Sequence, residues 1–246
     1  MVARQTKFEL SGDLAEFVMT PGRPASHQVH DWLRDEIIAG HIKPDTTLSE
    51  ASLCLHFGIS RQPVREALQR LSMQSLVRVF PQRGSVVSRI SVPMVLRAQL
   101  IREAVEVEVV SRAIDRIDDA FLSDLRIELK LQEAFAEAGD FERFFASDQA
   151  FHQRISDQCD VQCVWESLAE IRSQLDRARH AELESQMALG VLIDQHRDVY
   201  EAIAKGDSAA AQEAMREHLR RITKQLPKTV KTAPELFENV DLPDRE

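Results

Sequence analysis

Residues 60–71 read SRQPVREALQRL, and this stretch decides the fold of the N-terminal part of the chain. Ser60 is a good N-cap residue, and Pro63 falls in the first helical turn, where its missing N–H costs least. The apolar residues follow the i, i+3, i+4, i+7 spacing of one helix face, at Val64, Ala67, Leu68 and Leu71. The residues that fall away from this face are Arg61, Gln62, Arg65 and Gln69. The stretch therefore predicts an amphipathic helix with a basic, amide-bearing outer face.

Two shorter signals precede this helix. Residues 27–40 predict a first helix that ends at Gly40. A short helix follows from about Ser49 and stops at Gly58, so a single residue separates its end from Ser60. A helix, a tight turn and a second helix with a basic face predict a helix-turn-helix.

The next segment, LVRVFPQRGSVVSRI at residues 76–90, predicts a β-hairpin. β-branched residues lie on both sides of the turn residues 81–84, and Arg83 makes the tip basic. The hairpin extends the helix-turn-helix to a winged helix-turn-helix.

The net charge of −9 is unevenly distributed along the chain. Residues 60–90 carry six Arg against one acidic residue, and residues 27–90 as a whole balance to +2. Residues 91–246 therefore hold −11, because residues 1–26 balance to zero. This asymmetry indicates that one domain meets a polyanion and the other does not.

The composition predicts a globular protein of two domains. A chain of 246 residues with 43% hydrophobic residues can bury a substantial core. Charges interrupt the apolar runs well short of a membrane span, and no signal-peptide pattern is present at the N-terminus, so we expect a cytoplasmic protein. Cys54, Cys159 and Cys163 form no CxxC pair, and we expect reduced, packed thiols.

From Ser91 onward the pattern is helical. Six segments are predicted, at about 91–117, 119–138, 140–158, 161–183, 185–205 and 207–226. The predicted fold class is thus mainly α, with an N-terminal winged helix-turn-helix and a C-terminal all-helical antiparallel bundle. The expected boundaries are a leader at 1–26, the winged domain at 27–90, the bundle at 91–226 and an extended or disordered tail at 227–246.

Four side chains of the bundle predict a metal site. Asp148 and His152 are one helical turn apart and share a helix face. His196 and His218 lie almost equally far from the break at Gly206, so two antiparallel helices leaving that turn place them opposite each other. One carboxylate and three imidazoles on three helices suit a divalent ion such as zinc, nickel or manganese.

The segment at residues 40–87 resembles the DNA-binding domain of GntR-type bacterial transcription regulators, whose densest signature is SRxPVREALxxL. The resemblance implies that Arg61 and Arg65 reach guanine edges or phosphates and that Gln62 assists them. It implies that Gly84 lets the wing enter the minor groove, with Arg83 at the tip. Two positions depart from the family pattern: Ala51 replaces an arginine and Ser75 replaces a glycine.

The C-terminal half resembles the all-helical effector-binding domain called FCD, found in the FadR-type branch of the same family. The motifs are the LIREAVEVEV that contains Arg102 and Glu106, the DxxFH from Asp148, the HRDVYEAIAKGD from His196 and the MREHL around His218. The resemblance implies the same four metal ligands. Arg102 is a candidate clamp for a carboxylate effector, or alternatively an i, i+4 partner of Glu106, and Arg172 is a further candidate for the effector cavity.

These observations predict a homodimeric transcription regulator that binds an inverted-repeat operator in double-stranded DNA. A small organic acid beside the metal would control its affinity. Two other classes remain open. A metal-dependent hydrolase would need a general base that no sequence feature nominates, and a pure interaction protein would use its histidines structurally.

Overall fold

The structure is a computed structural model that describes residues 16–80, 84–159, 164–182 and 186–240. Within these ranges, a small domain of three helices and a three-stranded sheet precedes a bundle of six helices. The predicted fold class, mainly α with a winged helix-turn-helix and a helical bundle, is confirmed. Arg83 and Cys163 lie outside the described residues. Cys54 has a free thiol, and the Cys159 thiol donates a hydrogen bond to the Ser156 carbonyl.

The small domain is built on the helix-turn-helix. Its helices are α1 (Ala25–Ile38), α2 (Glu50–Phe57) and α3 (Arg61–Met73). The hydroxyl of Ser49 accepts the Ser52 N–H at the start of α2, and Gly58 ends that helix with a left-handed φ of 64°. Ser60 occupies the N-cap position of α3 as predicted, but its side chain makes no capping hydrogen bond.

The wing is an antiparallel sheet of β1 (Thr47–Leu48), β2 (Val77–Phe80) and β3 (Gly84–Val87), in the order β1-β3-β2. Strands β2 and β3 form the predicted hairpin, with Val77 opposite Val87 and Phe80 opposite Gly84. The core of this domain is apolar and includes Val29, Leu33, Leu53, Val64, Leu71 and Val87. The domain therefore folds around residues that take no part in its charged outer face.

The bundle begins at α4. Its helices are α4 (Val92–Ile114), α5 (Asp119–Ala138), α6 (Phe141–Gln158), α7 (Val164–Glu182), α8 (Gln186–Ala204) and α9 (Ser208–Thr232). Asp118, Asp140 and Asp207 cap α5, α6 and α9 by accepting backbone N–H groups. Gly206 has φ 69° and ends α8, so α8 and α9 leave this turn as an antiparallel pair, as the sequence predicted.

The expectation of an extended or disordered tail is wrong for residues 227–236, most of which are helical. Helix α9 continues through Pro227 to Thr232, a 3₁₀ turn follows at Pro234–Leu236, and β5 (Phe237–Glu238) pairs in parallel with β4 (Ile90–Ser91). The apolar stripe of α9 runs on past the proline, because Leu226 and Val230 are both buried. This burial offsets the roughly 3 kcal/mol that a proline costs inside a helix.

No helix in the described part of the chain combines the length and the apolar character that a membrane span requires.

Candidate metal centre and DNA-binding surface

The four predicted ligands converge in the middle of the bundle. Asp148 and His152 lie on α6, His196 on α8 and His218 on α9, and all four are buried. One nitrogen or oxygen atom from each lies within 4.8 Å of the others. We call these four residues the ligand set. Helix packing thus brings together the residues that the sequence paired by periodicity and by distance from a turn.

Two neighbours fix which nitrogen of each imidazole faces the centre. Gln132 Oε1 lies 2.7 Å from His196 Nδ1, and the amide nitrogen of Gln132 donates to the Ser147 carbonyl. Glu106 Oε2 lies 2.7 Å from His152 Nδ1. The Gln132 acceptor places the proton of His196 on Nδ1, and the Glu106 carboxylate at ion-pair distance favours the same tautomer of His152. The Nε2 lone pair of each then points toward the centre.

The spacing of the inner atoms suits a small cation. His152 Nε2 and His196 Nε2 lie 3.1 and 3.3 Å from His218 Nε2, and Asp148 Oδ1 lies 3.6 Å from His196 Nε2. Ligands bonded at about 2.0–2.1 Å to a tetrahedral ion lie about 3.3 Å apart. Only His218 can place a proton between the three nitrogens, so at least one buried lone pair has no donor, and a cation would satisfy it.

Electrostatics keep three of the four ligands, Asp148, His196 and His218, in their metal-binding protonation states. Burial lowers the pKa of His196 to about 3 and, with the two neighbouring histidines, lowers the pKa of His218 well below its usual value. Burial alone would raise the pKa of Asp148, but Arg179 and the histidines outweigh it, and the pKa lies below its usual value. Near neutral pH the site therefore offers neutral imidazoles at His196 and His218 and an ionised carboxylate at Asp148.

Arg179 is a functional residue that sequence reasoning missed. Its Nη2 lies 2.8 and 2.7 Å from the two carboxylate oxygens of Asp148. Gln132 was missed as well. Neither residue belongs to a motif, and each meets its partner across an interface between helices, so no local spacing could have revealed them.

Arg102 has features of both predicted roles, the ion-pair partner of Glu106 and the clamp for an effector. Its guanidinium forms an i, i+4 ion pair with Glu106, whereas its Nη2 is buried without a hydrogen-bond partner among the described residues. It lines a narrow cavity of about 10 Å³ next to His218. The other polar residues of this cavity are Arg179, Glu182 and Arg221. Each guanidinium is paired with a carboxylate, Arg102 with Glu106, Arg179 with Asp148 and Arg221 with Glu182. The donor left for an anion is Arg102 Nη2.

The structure does not place Arg172 in the lining of the same cavity. Its guanidinium lies 3.9 Å from the ring centre of Trp165 and its Nη2 donates to Gln149. Its Nε is 3.2 Å from Asp176. Arg172 instead lines a cavity of about 370 Å³ between α1, α6 and α7.

The predicted DNA-contacting residues lie on the exposed face of α3. Arg61, Gln62 and Arg65 are all exposed. In this DNA-free state Arg65 Nε bonds both carboxylate oxygens of Glu50, at 3.0 and 2.9 Å, and Gln62 donates to Glu66.

Backbone conformation explains two positions near the wing. Gly84 has φ 87°, and a Cβ at this position would lie 3.2 Å from the Leu48 carbonyl oxygen. Ser75, where relatives carry glycine, has φ 59°. Both positions lie in the left-handed region that glycine adopts most easily.

Comparison with known proteins agrees with both halves of the chain. The gntR family of bacterial regulatory proteins matches residues 25–87, and the FCD domain matches residues 99–221. The HTH-type transcriptional repressor RspR of Escherichia coli is 33% identical over 211 residues, which cover 86% of this chain and 92% of RspR. An uncharacterised HTH-type regulator of Streptomyces ambofaciens is 36% identical over 89% of this chain and 92% of its own length.

Solved structures show the same fold. McbR/YncC of Escherichia coli superposes with a TM-score of 0.73 at 21% identity, covering 83% of this chain and 97% of that protein. A GntR regulator from Rhodococcus sp. RHA1 superposes with a TM-score of 0.69 at 25% identity, covering 82% and 96%. The relatives are transcription regulators rather than enzymes, so the hydrolase alternative falls. The chain belongs to the GntR family of DNA-binding transcription regulators and carries a C-terminal FCD domain.

Proposed function

We propose that this regulator binds one divalent metal ion through Asp148, His152, His196 and His218, and that a small carboxylate effector bound beside the ion controls its affinity for an operator. The observation that carries the proposal is the convergence of four buried ligand atoms with inward-facing lone pairs. Zinc, nickel and manganese all accept such a nitrogen and oxygen donor set.

The effector half of the proposal rests on unpaired polar groups next to the ligand set. Arg102 Nη2 and His218 Nδ1 are both buried without a hydrogen-bond partner in the described part of the chain, and both residues line the same cavity. A bound divalent ion supplies positive charge and an open position to a carboxylate or hydroxyl. Arg102 would then bond the other end of the ligand.

The DNA half assigns direct contacts to Arg61, Gln62 and Arg65 and wing contacts to Arg83 and Gly84. A single winged domain with a balance of +2 attracts phosphates only modestly. Two copies in a homodimer would bind together, so the operator would be an inverted repeat. The protein would act in the cytoplasm, where bacterial DNA lies.

Two measurements test this proposal. Elemental analysis of protein purified without chelator or histidine tag should find about one metal ion per chain. A thermal-shift screen of organic acids with the metal present should then find a stabilising acid, since a ligand at 100 times its dissociation constant adds about 2.7 kcal/mol. Arg102→Lys keeps the charge but not the bidentate geometry, and it should reduce that shift.

Different results would contradict the metal site, the effector and the dimer. Protein without bound metal, and without zinc affinity in calorimetry, would leave the histidines with a structural role. Metal binding with no acid that shifts the melting temperature would contradict the effector alone. A footprint on a single unrepeated half-site would contradict the dimer.

A further inference from the structure

Helix α7 contacts the metal-ligand set and the DNA-binding domain through opposite faces. Arg172, Asp176 and Arg179 follow one another at i, i+4 and i+7 on one face, from which Arg179 bonds Asp148 inside the bundle. At about 100° per residue, Gln174 and Arg177 lie on the other side of the helix. Both are buried, at 1% and 3% exposure, against the DNA-binding domain.

The Gln174 side chain links the DNA-binding domain to the start of the bundle. Its Nε2 donates to the Ser75 carbonyl at 2.9 Å, and its Oε1 accepts the Ser91 N–H at 3.2 Å. Ser75 follows directly on the C-cap of the recognition helix α3, and Ser91 is the N-cap of α4. The amide therefore holds the end of the recognition helix next to the start of the bundle.

Arg177 makes a second link from the same face. Its Nη2 donates to the Ser88 carbonyl at 2.8 Å, just after the wing strand β3. No carboxylate lies within ion-pair distance of Arg177 among the described residues, and its Nη1 has no hydrogen-bond partner there. Burial lowers its pKa to about 10, with Glu238 acting in the opposite direction. A buried arginine with so little compensation is costly for stability alone, which favours a positioning role.

We infer that Gln174 and Arg177 are positioning residues that fix the recognition helix and the wing relative to the bundle, and that α7 carries the state of the ligand set to them. A change at Asp148 moves Arg179, and Arg179 shares a rigid helix with both links. The first clause stands on the hydrogen bonds themselves, whereas the second rests on the proposed metal site.

Hydrogen exchange on the full-length, metal-stripped protein tests the first clause. Gln174→Glu is isosteric, keeps an acceptor for the Ser91 N–H and places a carboxylate oxygen against the Ser75 carbonyl. Arg177→Met keeps most of the length and removes the donor. Each variant should raise exchange about fivefold in residues 75–80 and 84–91, the effect of losing one buried hydrogen bond.

Ser173→Ala is the matched control, because the Ser173 hydroxyl is buried on α7 but donates to Ala169 within the same helix. It should leave exchange in residues 75–80 and 84–91 as in the wild type. Unchanged exchange in both Gln174→Glu and Arg177→Met, or an equal rise in Ser173→Ala, would overturn the positioning role.

Zinc alone is the probe for the second clause. In the wild type, zinc should slow exchange in residues 164–182 and also in residues 75–80 and 84–91. In Gln174→Glu it should slow only the first segment. A zinc response of the DNA-binding segments that persists in this variant, or is missing in a wild type that binds zinc, overturns the transmission. Calorimetry measures zinc binding separately, so a protein that does not bind zinc is distinguished from one that binds zinc without transmitting the change. If zinc does not bind, the exchange measured on metal-free protein still tests the positioning role.

Discussion

The two domains bury different chemistry. The centre of the winged domain is apolar, and the arginines assigned to DNA lie outside it on α3. The centre of the bundle contains two carboxylates, Asp148 and Glu106, three imidazoles and two arginines, Arg102 and Arg179, all of them buried. In the winged domain, stability and function therefore use separate residues. In the bundle they use the same residues, so a substitution there should affect both.

The largest effect that this comparison predicts is for His196→Ala. Loss of one ligand should remove the bound metal. The buried Gln132 Oε1 would lose its partner and His218 Nε2 would lose one of its two contacts, at a cost of about 2–4 kcal/mol in unfolding free energy. DNA binding by the winged domain should largely survive. Elemental analysis and denaturant titration measure the two losses.

His27→Ala is the control for this substitution, because His27 is a partly exposed histidine on α1. It should retain the metal and change stability by less than about 0.5 kcal/mol. Equal metal content in His196→Ala and His27→Ala would contradict the metal site.

Acid should lower the stability of the bundle. Burial lowers the pKa of His196 to about 3 and of His180 to about 4, so between these values and about pH 6.5 the unfolded chain binds more protons. The stability of metal-stripped protein should therefore fall as the pH falls through this window, by at most about 1.4 kcal/mol per pH unit for each histidine. Asp148 and Glu106, whose pKa values are also lowered, act in the same direction only below about pH 4.5.

Chemical denaturation of metal-stripped protein at several values from about pH 7 to about pH 5 measures this dependence. His196→Gln should give a flatter curve than the wild type. Parallel curves would show that the buried imidazole does not titrate in this way.

A smaller effect, confined to function, is expected for Arg65→Ala. The loss of a base or phosphate contact should weaken operator binding by about 1–3 kcal/mol. Stability should change by less than about 0.5 kcal/mol, because the ion pair between Arg65 and Glu50 is half exposed. Arg112→Ala is the matched control, since Arg112 forms a similarly exposed pair with Glu108 in the bundle. If both variants bind the operator as the wild type does, the assignment of α3 as the reading helix is wrong.

The smallest effect is expected for two glycine-to-alanine substitutions, which should change the stability in opposite directions. Gly84→Ala should lower stability by about 1 kcal/mol, because φ is 87° and the new Cβ meets the Leu48 carbonyl at 3.2 Å. Gly190→Ala should raise stability by about 0.5–1 kcal/mol, since Gly190 lies within α8 and its Cβ would meet no atom within 4 Å. Thermal unfolding measures both, and shifts of the same sign would contradict the role of backbone conformation at the wing.

Local sequence patterns were enough to predict most helices and strands and to predict which residues share a helix face. Helix periodicity put Asp148 and His152 together, and the Gly206 break placed His196 opposite His218, because helix geometry fixes these relations within about twenty residues. The recognition helix followed from a single stretch for the same reason. The roles of these residues in binding metal and DNA stay predictions.

Only the tertiary structure determined which side chains far apart in sequence form hydrogen bonds with each other. Gln132 is 64 residues from His196, Arg179 is 31 residues from Asp148, and Gln174 is 99 residues from Ser75. Such pairs depend on how each helix is rotated and shifted against its neighbour, which no periodicity within one helix specifies. The same limit explains the error at Pro227, where burial against the bundle overrode a local helix-breaking signal.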